Sequence, residues 1–212
     1  MRNRIVLIIL SLLLASPTFA DGVGAFQKFS MGAMLGFGAS IMTGSDRALY
    51  DGTSSGGLGI FFRMAFPVNG RMSVLADVGV DGTYGFASEY EYQHRTVVDS
   101  IETDGLEFDV LWNVFVSDYI FVSVGPGVRI PRITEKVEIS GDEIVLDEVE
   151  YENDLWLDAI VALGCKRNGV EVGVRVGYEF LGMYKETDGY RDVDINELRV
   201  RFYFTYWFGQ KP

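Results

Sequence analysis

Arginine and carboxylate side chains recur at every second position along several segments of this sequence. Near its end, Glu197, Arg199 and Arg201 alternate with Leu198 and Val200. Carboxylates in such a pattern could act as general acids and bases or line a path for cations, whereas arginines would bind them in charge-assisted pairs. Because unpaired charges are costly to bury, we favour a structural ion-pair network. Its predicted members are Arg63, Asp77, Asp81, Glu107, Asp109, Arg129, Asp158, Arg175, Arg199 and Arg201, with Glu171, Glu179 and Glu197.

Residues for nucleophilic catalysis are scarce. Such chemistry needs a serine or cysteine beside a base and an orienting group. His94 is the only histidine, and it lies in a predicted loop where a solvated side chain is the simpler interpretation. Cys165 is the only cysteine, so no intramolecular disulfide can form, and its strand-end position is typical of a small apolar residue. The sequence therefore predicts no enzyme and no cofactor.

Acidic residues concentrate between positions 133 and 154, where Lys136 is the only basic residue. Carboxylates bind divalent cations, which could bridge this segment to lipopolysaccharide phosphates. Solvation of an exposed loop explains the same composition without a metal. The candidate metal ligands, which we regard as weak, are Asp142, Glu143, Asp147 and Glu148.

The first twenty residues have the features of a secretory signal peptide. Arg2 and Arg4 precede an apolar run, and Thr18-Phe19-Ala20 supplies a small-x-small cleavage site. The apolar run is too short to span a bilayer, which needs about 20 residues. We therefore expect residues 1–20 to be removed and residues 21–212 to form a single domain. The net charge of −12 makes nucleic acid an unlikely partner.

The elements that would position the charged residues are β-strands, because apolar and polar residues alternate with a period of two. Leu198, Val200, Phe202 and Phe204 fall on one face of the last segment, opposite the arginines. A lipid-exposed barrel needs apolar residues only at every second position, whereas a soluble lipocalin-like barrel would have an apolar interior. We therefore predict an all-β, eight-stranded antiparallel up-and-down transmembrane barrel with a packed polar lumen. The predicted strands span residues 31–42, 57–67, 72–86, 106–116, 120–132, 155–165, 170–180 and 197–208.

The predicted connections alternate in length. Those after the second, fourth and sixth strands are short, at residues 67–71, 117–119 and 166–169, and two of them contain the Asn-Gly pair typical of hairpins. The other connections are long, polar and acidic. This alternation is typical of outer-membrane barrels with short periplasmic turns and long extracellular loops. The segments 136–140 and 143–147 flank Gly141-Asp142 and predict an additional hairpin above the membrane.

The signal peptide, the eight alternating strands, the short turns and the aromatic last strand with Tyr206 and Phe208 resemble the small outer-membrane barrels of the OmpA/OmpX type. The resemblance implies export to the outer membrane of a Gram-negative-type bacterium and insertion by the barrel insertion machinery. It also implies a monomer in contact with outer-membrane lipid and lipopolysaccharide.

The resemblance is architectural, so it implies less about activity. We expect a structural or surface-interaction role, adhesin-like, in which the acidic extracellular loops contact a surface ligand. A narrow pore and a lipid-modifying outer-membrane enzyme are the alternatives.

Overall fold

The computed structural model describes residues 26, 28–44, 54–92, 95–139, 142–146, 155–180 and 196–209. These residues form nine antiparallel strands and contain no helix long and apolar enough to cross a membrane. The strands are β1 (Ser30–Thr43), β2 (Ser54–Asn69), β3 (Met72–Tyr92), β4 (Arg95–Phe115), β5 (Ile120–Ile139), β6 (Asp142–Leu146), β7 (Trp156–Arg167), β8 (Val170–Glu179) and β9 (Asn196–Trp207).

Eight of these strands form a closed up-and-down barrel. Consecutive barrel strands pair with one another, with β5 followed by β7, and β1 closes the barrel against β9. The closing ladder runs from Gly32 opposite Trp207 to Thr43 opposite Asn196. The predicted fold class is confirmed. The strand that is not part of the barrel, β6, pairs with β5, which confirms the predicted additional hairpin.

Side chains alternate between an exposed apolar surface and a buried interior. On β9, the Phe202 side chain is 54% exposed, whereas Arg201 is 5% exposed, and on β2, Ile60 is 61% exposed beside fully buried Arg63. An apolar outside around a charged inside is the arrangement of a barrel in lipid and the reverse of a lipocalin.

Tight turns close one end of the barrel. Asn168 and Gly169 join β7 to β8 with φ values of 51° and 80°, as a type I′ hairpin requires. Gly70-Arg71 joins β2 to β3, and residues 116–119 join β4 to β5. We call this the short-turn end and the opposite one the long-loop end. The predicted turn at residues 166–169 was too long, because β7 keeps its pairing with β8 as far as Arg167 opposite Val170.

Four strands continue past the long-loop end of the barrel as a projecting sheet. The β2–β3 ladder stops at Gly56 opposite Tyr84, but the β3–β4 ladder continues to Tyr92 opposite Arg95. Likewise, β5 pairs with β4 along one edge as far as Ile139, and its other edge pairs with β6. The predicted limits at residues 86, 106 and 132 were therefore wrong. Apolar alternation marks only the part of a strand that faces lipid, and hydrogen bonding continues into water beyond it.

Candidate functional site

The lumen holds two groups of buried side chains. The ion-pair network consists of Arg63, Asp77, Asp81, Glu107, Asp109, Arg129, Asp158, Glu171, Arg175, Glu197, Arg199 and Arg201. The apolar cluster consists of Phe26, Met34, Phe61, Ala65, Leu75, Leu111, Phe115, Phe121, Ile160, Ala162, Tyr203 and Trp207. The sequence predicted a packed polar core, and this was incomplete because apolar side chains also occupy many inward positions near the short-turn end.

Arg175 connects β8 to two strands on the opposite wall. Its guanidinium pairs with Glu107, with Asp109 at 2.5 Å and with Asp77 at 3.3 Å. Charge-assisted pairs of this kind are strong when all partners are desolvated together. Arg175 therefore holds β3 and β4 at a fixed distance from β8.

Arg199 and Arg63 make comparable contacts across the lumen. Arg199 pairs with Asp81 at 2.7 Å, with Glu107 at 2.5 Å and with Asp158. Arg63 binds both carboxylate oxygens of Asp77, each at 2.7 Å, and also pairs with Glu171. A planar guanidinium with several donors suits such multiple pairing better than an ammonium does. Asp77 and Glu107 are thus each shared between two arginines, and Arg63 also holds Asp77 in a fork.

The remaining two arginines are bound largely by neutral oxygens. Arg201 donates to the Ala39 carbonyl at 2.9 Å and to the hydroxyls of Ser40 and Thr83, with Asp81 at 3.3 Å. Arg129 pairs with Glu197 at 3.2 Å and donates to the carbonyls of Asp81 and Thr103.

Glu179 lies in the lumen but does not join the network. It stands opposite Asp158 on the neighbouring strand, and only 1% of its surface is exposed. Neither of its carboxylate oxygens has a hydrogen-bond partner among the described residues. The position of Glu179 inside the barrel follows from strand parity, but its lack of a partner does not.

The apolar cluster includes Phe26, which precedes the first strand. Its ring lies 4.4 Å from that of Trp207 and 6.3 Å from that of Phe115. Lys166 is also buried here, with its Nζ 4.6 Å from the centre of the Phe26 ring. We expected only arginines among the basic lumen residues, and Lys166 in a turn. Phe26 lies outside the alternating segments, whereas Lys166 continues the inward parity of Asp158 on β7 and was missed because it was assigned to the turn.

Glycines on the inward face make room for the rings of this cluster. A Cβ atom at Gly79 would lie 2.6 Å from Phe61 Cδ1, and one at Gly173 would lie 2.8 Å from the Tyr203 hydroxyl. The Phe61 and Tyr203 rings also contact Arg175 and Arg63, each at 5.2 Å from guanidinium carbon to ring centre. These two aromatic residues therefore form the border between cluster and network.

The described residues contain no group of three His, Cys, Asp or Glu side chains that could hold a metal ion. A cavity of about 10 Å³ lies between Phe61, Asp81, Glu107 and Arg199, enough for about one water molecule. His94, Asp147 and Glu148 lie outside the described residues. Asp142 and Glu143 lie on β6, and their side chains are outside the description as well.

The chain has the fold of the small eight-stranded outer-membrane β-barrels of the OmpA/OmpX type. Among solved structures it is similar to the attachment invasion locus protein Ail of Yersinia pestis, solved in complex with the heparin analogue sucrose octasulfate. The two share 11% identity over 86% of this chain and 100% of Ail, with a TM-score of 0.51.

A second similar structure is Neisserial surface protein A, NspA, with 10% identity over 84% of this chain and 96% of NspA and a TM-score of 0.42. No protein-family model and no curated protein matches the sequence. At these identities the likeness to Ail establishes the fold alone.

Proposed function

We propose that this protein is a surface-interaction protein of the bacterial outer membrane and that its projecting sheet contacts a partner outside the cell. The observation that carries the proposal is the extension of β3, β4, β5 and β6 beyond the closed barrel. A barrel needs no such sheet to cross a membrane. Ordered strands in water offer a partner a rigid surface, which a solvated loop does not.

The charge on the projecting sheet indicates the kind of partner. In the backbone register, Glu138 on β5 stands opposite Glu143 on β6. On its other side, Glu138 stands opposite Val98 on β4, and Val98 in turn stands opposite Glu89 on β3. The backbone register therefore places the three glutamates in one row across the projecting sheet. Like charges in this position destabilise a sheet unless a cation lies between them. A cationic partner would relieve this repulsion, so we propose that the partner is positively charged.

The same argument separates this protein from its structural neighbour. Ail was solved with a heparin analogue, which is a polyanion. An acidic sheet repels polyanions, so we propose that this protein does not bind a ligand of that class.

Binding in phosphatidylcholine nanodiscs to immobilised poly-L-lysine and heparin tests the proposal. The wild type should bind poly-L-lysine in a salt-dependent manner and should not bind heparin. Changing Glu89, Glu138 and Glu143 together to Gln should weaken poly-L-lysine binding. The matched control is Asp118→Asn, which removes an exposed carboxylate at the short-turn end. Heparin binding, or equal poly-L-lysine binding by both variants, would reject the proposed partner.

We also propose that the lumen does not conduct ions. The filled interior supports this, because the network and the cluster together leave room for about one water molecule in the cavity at their border. Planar-bilayer recording of the reconstituted protein should show no steady channels. A stable conductance would favour the narrow-pore alternative, and turnover of phospholipid or lipid A by purified protein would favour the enzyme alternative.

Export and processing form a separate part of the proposal. We propose that residues 1–20 are removed and that residues 21–212 reach the outer membrane as one domain. The basic, apolar and small-residue pattern of the first twenty positions supports this. The mass of the protein from isolated outer membranes should correspond to a chain that begins at Asp21. An intact Met1 in that fraction would contradict the proposal.

A further inference from the structure

Three basic residues lie at the short-turn end of the barrel. Lys28 precedes β1, Arg71 lies in the β2–β3 turn and Arg167 ends β7, and Lys28 and Arg167 are exposed while Arg71 is half-buried. Asp118 is the exposed acid among the described residues of the same turns. This rim is basic, although the whole chain has a net charge of −12.

These basic residues lie where the apolar outer surface ends. Lys28 adjoins Phe29, which is 48% exposed, and Arg167 stands opposite Val170, which is 36% exposed. In a membrane, the border of the apolar surface lies at the level of the lipid head groups. Long basic side chains at this level can extend their charged ends to the phosphates.

Aromatic side chains accompany the basic ones along the same border. The guanidinium carbon of Arg167 lies 5.7 Å from the centre of the Tyr119 ring. Phe29 and Phe66 are in contact at 5.1 Å between ring centres. Aromatic and basic residues together are typical of the membrane interface, which supports the assigned depth of the rim.

Backbone hydrogen bonds join each turn of this rim to the end of a neighbouring strand. The Phe115 amide donates to the Arg71 carbonyl at 2.8 Å, the Lys166 amide to the Tyr119 carbonyl at 2.8 Å, and the Trp207 amide to the Gly169 carbonyl at 2.7 Å. The backbone of the turns is therefore fixed before any lipid binds. Such preorganisation lowers the entropy cost of binding.

We propose that this rim, defined by Lys28, Arg71 and Arg167, binds the phosphate head groups of anionic phospholipids in the leaflet that surrounds the short-turn end. Lys28 lies before β1, Arg71 lies in the β2–β3 turn and Arg167 lies at the end of β7. Because these positions are spread around the barrel, each residue contacts a separate lipid. The attraction is that of a basic residue near an anionic membrane surface, and it adds to the burial of the apolar outer face.

Electron spin resonance with spin-labelled lipids tests the proposal. The full barrel is reconstituted in phosphatidylcholine vesicles, and the association of labelled phosphatidylglycerol is compared with that of labelled phosphatidylcholine. The wild type should prefer phosphatidylglycerol, and the preference should fall as salt rises. In the triple variant Lys28→Gln, Arg71→Gln and Arg167→Gln, the association constant of labelled phosphatidylglycerol should fall by about fivefold for each lipid position that loses a charge.

Two variants separate this rim from a general effect of mutation. Asp118→Asn removes the exposed acid of the same turns and should not lower the preference. Arg71→Lys with Arg167→Lys preserves charge and should also keep it. Each variant is first checked for barrel folding by its heat-dependent mobility on gels. The proposal is overturned if the triple glutamine variant keeps the wild-type preference, or if Asp118→Asn loses as much of it.

Discussion

The two groups of side chains in the lumen stabilise the same barrel in different ways. The ion-pair network is cooperative, because Arg175 and Arg199 share Glu107 and each also neutralises a buried carboxylate that pairs with no other arginine among the described residues, Asp109 and Asp158 respectively. The apolar cluster gains stability in proportion to the area that each ring buries, and a smaller side chain loses only its own share and leaves a cavity. Loss of one network residue should therefore disturb more than that residue's own contacts.

The difference also concerns specificity. Ion pairs join strands that are not neighbours, such as β8 with β3 and β4 through Arg175. A shift of one residue in any strand would turn its charges toward lipid, so the network opposes errors in register. The apolar cluster tolerates small shifts, because hydrophobic contacts do not depend strongly on direction. We infer that the network specifies the register and that the cluster mainly adds stability.

The largest effect is expected for Arg175→Ala. This change leaves Asp109 buried without a cation and removes one partner each from Glu107 and Asp77. Removing one partner of a buried ion pair costs about 3–5 kcal/mol. Urea unfolding of the barrel in lipid vesicles measures the loss, with Arg132→Ala as the exposed control. Equal stability of the two variants would show that the network is not a major part of the core.

A smaller effect is expected for Phe26→Ala in the apolar cluster. The ring of Phe26 fills the short-turn end between Trp207, Phe115 and Lys166. Truncating a buried phenylalanine costs about 3 kcal/mol, at the lower limit of the usual range, because a segment outside the strands can adjust. The control is Phe29→Ala, whose ring is 48% exposed on the lipid side. If Phe26→Ala destabilised the barrel no more than Phe29→Ala, Phe26 would not belong to the cluster.

Arg201→Ala should destabilise the barrel less than Arg175→Ala does. Its one carboxylate partner, Asp81, is also bound by Arg199 at 2.7 Å, so no carboxylate loses its only cation. The change leaves Ser40 and Thr83 with fewer partners and should cost about 1–3 kcal/mol. Thermal unfolding should show a smaller decrease than for Arg175→Ala, and poly-L-lysine binding should be unchanged. A larger decrease than for Arg175→Ala would reverse the order that the pairing implies.

Strand parity made the barrel accessible to prediction from the sequence. On β9, alternation assigns Phe202 and Phe204 to lipid and Arg199 and Arg201 to the lumen without any knowledge of neighbouring strands. The short turn at Asn168-Gly169 and the acidic hairpin of β5 and β6 also carry local signals. Each of these features depends on a few consecutive residues, so a single sequence suffices to find it.

The pairing inside the lumen could not be predicted in the same way. Whether Arg175 contacts Glu107 or Glu179 depends on the tilt and stagger of the strands, which no single strand encodes. Phe26 gave no signal because one aromatic residue outside an alternating segment has no parity. The projecting parts of β3 and β4 were assigned to loops because they lie in water and need no apolar face.

The smallest effect, and one of opposite sign, is expected for Glu179→Gln. Glu107 pairs with Arg175 and with Arg199 at 2.5 Å, whereas the oxygens of Glu179 accept no hydrogen bond from the described residues. A neutral amide of the same size breaks no ion pair and removes the cost of holding an ionisable carboxyl group in a buried position without a partner, so stability should rise by at most about 1 kcal/mol.

The change Glu107→Gln tests whether Glu107 and Glu179 contribute differently to stability, as their ion-pair partners indicate. Glu107→Gln breaks two ion pairs and should lower stability by more than 1 kcal/mol, in the range of about 1–3 kcal/mol for hydrogen bonds to charged groups. Urea unfolding of both variants in the same vesicles gives the comparison. A loss of stability in Glu179→Gln as large as in Glu107→Gln would place Glu179 within the network. Every carboxylate in the lumen, Glu179 included, would then belong to the cooperative network.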